Sequence, residues 1–148
     1  MADAREEPQV GEHVVLLHGL GRSGWSMRPL ARAIGSGGYT VHNLDYPSRS
    51  ATPEQIVAHL HEQLERCCAR ADRVHFVTHS LGGILARAYV DRHAPANLGR
   101  VVMLAPPNRG SEYVDIAERW RIAKLLGPTG AQLGTGAQSL PNRLPAQR

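Results

Sequence analysis

The segment 73–91 constrains the fold most, because it joins a strand-like run to a helix-like run with almost no loop between them. Residues 73–78 read RVHFVT, a short apolar run typical of a buried strand. From about residue 82 to residue 91, apolar side chains recur at helical spacing. Ser80 lies at the junction, followed closely by two glycines. A sharp strand-to-helix turn is therefore predicted, with the Ser80 hydroxyl lifted clear of the backbone.

Similar strand-like and helix-like runs alternate along the chain. Strands are predicted at residues 13–17, 39–44, 73–78 and 100–104. Helices are predicted at about residues 25–34, 53–67, 82–91 and 111–126. The second helix has a clear start, with Thr52 as its cap, Pro53 in the first position and Gln55 in the third. This order predicts an α/β fold of about four strands, with a mostly parallel sheet covered by helices on both faces.

The length of 148 residues suits one domain. Residues 1–11 and 127–148 carry no periodic apolar pattern, and we expect loop or disorder there. The net charge of +4 comes from scattered arginines, with Lys124 the only lysine, so no nucleic-acid partner is expected. No apolar run is long enough for a membrane span, and the polar segment 1–12 does not read as a signal peptide. A cytoplasmic location is the default expectation.

Cys67 and Cys68 are the only cysteines, and they are adjacent. Neighbouring cysteines rarely pair, and no second pair stands at zinc-finger spacing. We expect two separate thiols on a helix, with no metal and no organic cofactor.

A second glycine-rich motif, HGLG at residues 18–21, follows the first predicted strand. Together with HSLGG at residues 79–83 and the order of elements, it resembles the bacterial lipase and esterase branch of the α/β-hydrolase family. The resemblance covers about residues 12–140. It implies a serine hydrolase acting on carboxylic esters, small or lipid, in which Ser80 is the nucleophile on the elbow and forms an acyl-enzyme. It also implies an oxyanion hole made by the backbone amides of Leu20 and Leu81.

The match to the family pattern departs from it at the first position of the serine motif. Thr78 occupies the first position of G-x-S-x-G, where the pattern has glycine. The resemblance places His18, His79 and Asn108 beside the substrate cleft, without making any of them the catalytic base.

The remaining members of a catalytic triad are not evident. In this family the acid and then the histidine follow the nucleophile, yet His93 is the last histidine in the sequence. Glu112 and Asp115 read as first-turn helix acids. The chain is therefore interpreted as a C-terminally truncated hydrolase sequence with impaired activity. A catalytically inactive remnant, or a non-enzymatic α/β module, is the alternative.

A dinucleotide-binding interpretation also stays open. Residues 19–24 read GLGRSG, which matches G-x-G-x-x-G after a strand and before a helix. Asp45, 21 positions after Gly24, could then bind a ribose hydroxyl. This interpretation leaves the Ser80 turn unexplained.

Overall fold

The computed structural model describes residues 11–107, 127–130 and 132–145. These residues form a four-stranded, all-parallel sheet with helices against it, as the sequence predicts. The strands are β1 (Glu12–Leu17), β2 (Thr40–Leu44), β3 (Arg73–His79) and β4 (Leu98–Leu104). The helices are α1 (Arg28–Ser36), α2 (Pro53–Cys68), α3 (Leu81–His93), α4 (Gly127–Gly130) and α5 (Leu140–Arg143). The predicted helix 111–126 lies outside the described residues.

The strand order is β2-β1-β3-β4. The chain leaves β1 toward β2 on one side and returns as β3 on the other side of β1. Leu17 pairs with Leu44 in one direction and with Thr78 in the other, so the carboxyl ends of the three strands are level. In open α/β sheets, ligands bind outside the carboxyl ends at such a reversal of strand order.

Local sequence explains two of the helix starts. The hydroxyl of Thr52 accepts from the Gln55 amide, while the Gln55 side chain accepts from the Thr52 amide, which completes the predicted capping box. The helix predicted near residue 25 is divided, because a 3-10 turn at Gly24–Met27 precedes α1. Ser23 caps that turn by accepting from the Trp25 amide.

The core lies on both faces of the sheet. The larger part is formed where α2 and α3 cover one face, and its fully buried members include Val15, Leu17, Phe76 and Ile84. A smaller part, around Leu16, lies under α1 on the other face. None of the helices in the described segments is long and apolar enough to cross a membrane.

The segment 127–145, expected as loop, contains the one-turn helices α4 and α5 and packs against the domain. Leu133 and Leu140 are buried in the larger core. The buried Thr129 hydroxyl donates to the carbonyl of Ala51 over 2.8 Å. Arg87, on α3, donates to the carbonyls of three residues in this segment. Those acceptors are Pro141, Leu144 and Pro145.

Cys67 and Cys68 are joined as a disulfide at the end of α2. The prediction of two separate thiols was therefore wrong. The Cα atoms are 3.8 Å apart, as across any trans peptide, and the side chains of these last two helical residues meet.

Candidate active site

Ser80 lies between β3 and α3 in a backbone conformation that few non-glycine residues adopt. Its φ is 50° and its ψ is −119°. The Ser80 amide donates to the Leu104 carbonyl over 2.9 Å, and the Ser80 carbonyl accepts from the Gly83 amide over 3.0 Å. Both bonds hold the turn against the neighbouring strand and the first turn of α3. The side chain remains half-buried at the carboxyl edge of the sheet. This is the sharp strand-to-helix turn that the sequence predicts.

Thr78, which replaces the first glycine of the family pattern, fits because its neighbour is small. Thr78 is fully buried. A β carbon on Gly83 would lie 3.2 Å from the Thr78 hydroxyl oxygen and 3.1 Å from Pro106. The second glycine of the pair therefore leaves the room that a threonine occupies beneath the turn.

The HGLG loop lies against the Ser80 turn. A β carbon on Gly19 would lie 3.5 Å from the Ser80 β carbon and 3.2 Å from His79 Nδ1. The loop itself is a tight turn, in which the Arg22 amide donates to the Gly19 carbonyl over 3.2 Å. Since β1 and β3 are adjacent strands, the loop after the first and the turn after the second meet where strand order reverses.

The two amides predicted as oxyanion donors occupy this meeting point. Leu81 is the first residue of α3, so no preceding helical turn provides its amide with an acceptor. Its side chain is fully buried, and the half-buried Leu20 side chain packs against the same core. Within the described segments, no hydrogen bond is formed by the amide of Leu20 or of Leu81 outside regular helix and strand pairing.

His18 supports the loop from below. Its ring is fully buried and stacks on Tyr46, with centroids 4.1 Å apart and planes 5° apart. Nδ1 lies 2.8 Å from the Gly19 carbonyl, and Nε2 accepts from the Tyr46 amide over 3.4 Å. The neutral tautomer that fits both contacts carries its proton on Nδ1. The Tyr46 hydroxyl donates to the His18 carbonyl. These contacts fix the start of the loop and occupy both ring nitrogens.

No histidine is placed as a base for Ser80 in the described structure. All eight histidines of the chain lie in it, and none hydrogen-bonds to the Ser80 hydroxyl. His79 is exposed beside the turn. The histidines on strands are engaged elsewhere, since His75 Nδ1 accepts from the Arg100 amide and His13 pairs with His42. His61 and His93 stack on each other, with ring centroids 3.9 Å apart.

The position of the acid is likewise not defined by the described residues. Asp45 accepts from the Gly24 amide over 2.6 Å and lies 3.5 Å from His18 Nε2, so it closes the glycine-rich loop. Asn108, predicted beside the cleft, lies outside the described residues, as do Glu112 and Asp115.

Comparison with known sequences decides the family. The profile of the Alpha/beta hydrolase family matches residues 14–147, nearly the whole chain. The chain belongs to the alpha/beta hydrolase family. This membership agrees with the four-stranded parallel sheet and its helices. No curated protein matches the sequence significantly.

Solved structures show the same fold at low sequence identity. The lipase BlEst2 of Bacillus licheniformis is 24% identical over 84% of this chain and 55% of its own, with a TM-score of 0.62. Phospholipase PlaB of Legionella pneumophila is 18% identical over 84% of this chain and 33% of its own (TM-score 0.64). A carboxylesterase structure from Nitrososphaera gargenis is 18% identical over 74% and 43% (TM-score 0.58). The chain thus spans between a third and somewhat over half of these proteins.

The support beneath the loop was missed by sequence reasoning. His18 was predicted beside the cleft, yet its full burial makes it a support for Gly19 and Leu20. The sequence does contain one signal for its stacking partner Tyr46, which is an aromatic residue two positions after the second strand and directly before Pro47. The pairing of Thr78 with Gly83 had a signal too, because the second glycine immediately follows the G-x-S-x-G-like motif.

Proposed function

We propose that this chain provides the nucleophile and oxyanion hole of a lipase- or carboxylesterase-type serine hydrolase, acting on a small or lipid carboxylic ester. The backbone conformation of Ser80 and its position support this proposal most strongly. Ser80 has the strained backbone of an elbow and lies against Gly19 of the HGLG loop. Strained conformations of this kind concentrate at functional sites, because the surrounding structure must hold them in place.

The proposed chemistry begins with attack of the Ser80 oxygen on the ester carbonyl carbon. The carbonyl oxygen gains negative charge, and the amides of Leu20 and Leu81 stabilise it. Collapse breaks the bond to the alcohol oxygen and leaves an acyl-Ser80 ester, which water then hydrolyses. A base must accept the Ser80 proton and pass it to the departing alcohol.

In the described structure, no histidine is positioned to act as this base. Since no histidine in the described residues hydrogen-bonds to the Ser80 hydroxyl, we expect at most feeble turnover from the 148 residues alone. Serine proteases that lose a triad member retain about 10³–10⁴-fold acceleration over water from the oxyanion hole and binding. A rate in this range is the expected ceiling. Turnover at the level of a complete esterase would contradict this expectation.

Intact mass after incubation with a fluorophosphonate probe tests the role of Ser80. We expect slow formation of a single adduct on the wild-type chain, none on Ser80→Ala, and an unchanged adduct on Ser36→Ala. Ser36 is the matched control because it is an exposed serine whose hydroxyl donates to Ala33 within the same helix turn. Equal labelling of Ser80→Ala and wild type would assign the reactivity to another residue and overturn the proposal.

The second candidate is a non-catalytic module of hydrolase fold. It is favoured because no histidine in the described residues hydrogen-bonds to the Ser80 hydroxyl. A wild-type chain that shows a cooperative unfolding transition and no adduct after prolonged exposure would support this candidate instead.

A further inference from the structure

Three metal-ligating side chains meet on the sheet face that α2 covers, toward the edge opposite Ser80. His13 is near the start of β1, His42 is on β2, and Cys68 is the last residue of α2. One ligand atom from each lies within 4.8 Å of the other two. His13 Nδ1 and His42 Nε2 are 3.0 Å apart. Side chains from three separate elements therefore converge on one point.

The cluster is buried and not fully satisfied. His13 is 1% exposed and Cys68 is 2% exposed. His13 Nε2 is buried without a hydrogen-bond partner among the described residues. Most buried polar atoms in folded proteins are paired, and an exception points to a bound ion or water, or to a redox or catalytic role. The other ring nitrogen of His13, Nδ1, is the one that faces His42 Nε2, and the Cys68 sulfur completes the cluster.

The spacing suits a cation of the zinc class. Tetrahedral zinc with bonds of about 2.0–2.1 Å to nitrogen separates two nitrogens by about 3.3 Å, close to the observed 3.0 Å. Two imidazoles and one thiolate are ligands that zinc prefers, whereas magnesium and calcium require oxygen. Three protein ligands leave a fourth position for water.

The Cys68 sulfur can bind a cation as a thiolate only when the disulfide is reduced. Cys68 is bonded to Cys67, so its sulfur is not a thiolate in this state. We propose that reduction of the Cys67–Cys68 disulfide creates a zinc-class site formed by His13, His42 and Cys68. An external dithiol supplies two electrons and two protons, becomes a disulfide itself, and leaves two thiols. The cation then binds Cys68 with loss of one proton, while Cys67 stays a thiol.

The bound cation links β1, β2 and the end of α2. Its affinity is expressed only when these elements are folded together, so binding raises the free energy of unfolding of the reduced form. Oxidation by a disulfide compound removes the thiolate and releases the cation. The redox state of the Cys67–Cys68 pair therefore controls cation binding at a site far from the Ser80 turn. The site does not depend on the proposed hydrolase activity.

Titration of the full chain with Co²⁺ alone, without oxygen and after removal of the reductant, tests the site. Thiolate ligation gives a near-ultraviolet charge-transfer band. We expect this band, at one Co²⁺ per chain, for the reduced wild type and not for the oxidised wild type. Because even indirect partners of metal ligands change affinity by about 10–100-fold, loss of a direct ligand should weaken binding by more than about tenfold.

Two cysteine variants form a matched pair. Cys67→Ser cannot form the disulfide yet keeps Cys68, so it should bind Co²⁺ with the band whether or not reductant was used. Cys68→Ser also lacks the disulfide, and it should show no charge-transfer band. His13→Gln should weaken binding more than tenfold while keeping the far-ultraviolet circular dichroism of the wild type. Absence of binding by a folded Cys67→Ser chain, or an undiminished band in Cys68→Ser, would overturn the proposal.

Discussion

Gly82 lies directly over the carbonyl group of Leu17, so that a β carbon at position 82 would be 2.5 Å from the Leu17 oxygen. The carbonyl carbon would be 2.9 Å away. Neither atom belongs to a side chain that can rotate aside. The first turn of α3 is therefore pressed onto the end of β1, and this contact places Ser80 beside the loop that begins at His18.

Replacing Gly82 with alanine should force α3 away from β1. Overpacking of a tight contact costs about 1–3 kcal/mol, and contact with backbone atoms places Gly82→Ala at the upper end of that range. Urea unfolding followed by circular dichroism measures the change. Gly136→Ala is the control, because a β carbon there meets nothing within 4 Å and should change stability by less than about 0.5 kcal/mol. Equal stability of the two variants would contradict the packing described.

The backbone strain at Ser80 gives a second prediction. Sparsely populated conformations cost about 1–3 kcal/mol, and glycine relieves that cost while losing about 0.5–1 kcal/mol through greater flexibility of the unfolded chain. Ser80→Gly should therefore be more stable than Ser80→Ala by about 1 kcal/mol. Both variants lack the hydroxyl, so the difference in their urea midpoints isolates the backbone. A Ser80→Gly chain that is less stable than Ser80→Ala would show that the turn is unstrained in solution.

Tyr46 gives a prediction that depends on alkaline pH. Its hydroxyl donates to the His18 carbonyl, and burial raises the pKa of Tyr46 above its ordinary value. Tyr46→Phe leaves that buried carbonyl unpaired, which should cost about 1–3 kcal/mol at neutral pH. Above pH 10 the unfolded chain releases the Tyr46 proton first, so the wild type loses stability as pH rises and Tyr46→Phe loses less.

Denaturant unfolding at pH 7 and at pH 10.5 measures both effects. Tyr39→Phe serves as the control at neutral pH, since Tyr39 is 41% exposed and its substitution should change stability little. The prediction fails if Tyr46→Phe and Tyr39→Phe have the same stability at pH 7.

His93 gives the corresponding prediction at acid pH. Burial lowers the pKa of His93, and the nearby His61 and Arg92 lower it further, against a smaller opposing effect of Glu65. As pH falls through about 6.5, the ordinary histidine value, the unfolded chain takes up this proton before the folded chain does. Stability contributed by neutral His93 is therefore present above pH 6.5 and lost as pH falls.

His93→Gln should flatten the dependence of unfolding free energy on pH between 7 and 5. His61→Gln should raise the pKa of His93 in an NMR titration of its ring protons, because it removes the stacked ring of His61, whose charge lowers that pKa. A His93 pKa that does not move in His61→Gln would show that the two rings do not interact in solution.

The sequence alone predicts the features that local pattern controls. Buried strands and capped helices have short-range signatures, so four strands and the Thr52 cap are found where they are predicted. The turn at Ser80 is predicted for the same reason. Boundaries differ where a short-range pattern is ambiguous, as at the 3-10 turn before α1.

The features that depend on contacts between distant segments could not be predicted. His13, His42 and Cys68 are separated by 29 and 26 positions, and only the register of β1 with β2 and the packing of α2 bring them together. The same holds for the tail, where Leu133 and Leu140 stand among glycine and polar residues yet reach the core.

Arg87 anchors the segment 141–145 to α3, the helix that directly follows Ser80. Three carbonyls on one guanidinium hold this stretch of backbone against the domain, so it should keep its place for as long as that contact is intact. A dye or a fused domain attached after Pro145 would therefore start from a defined point beside α3. Distances measured from such a label would report on the position of the Ser80 helix itself.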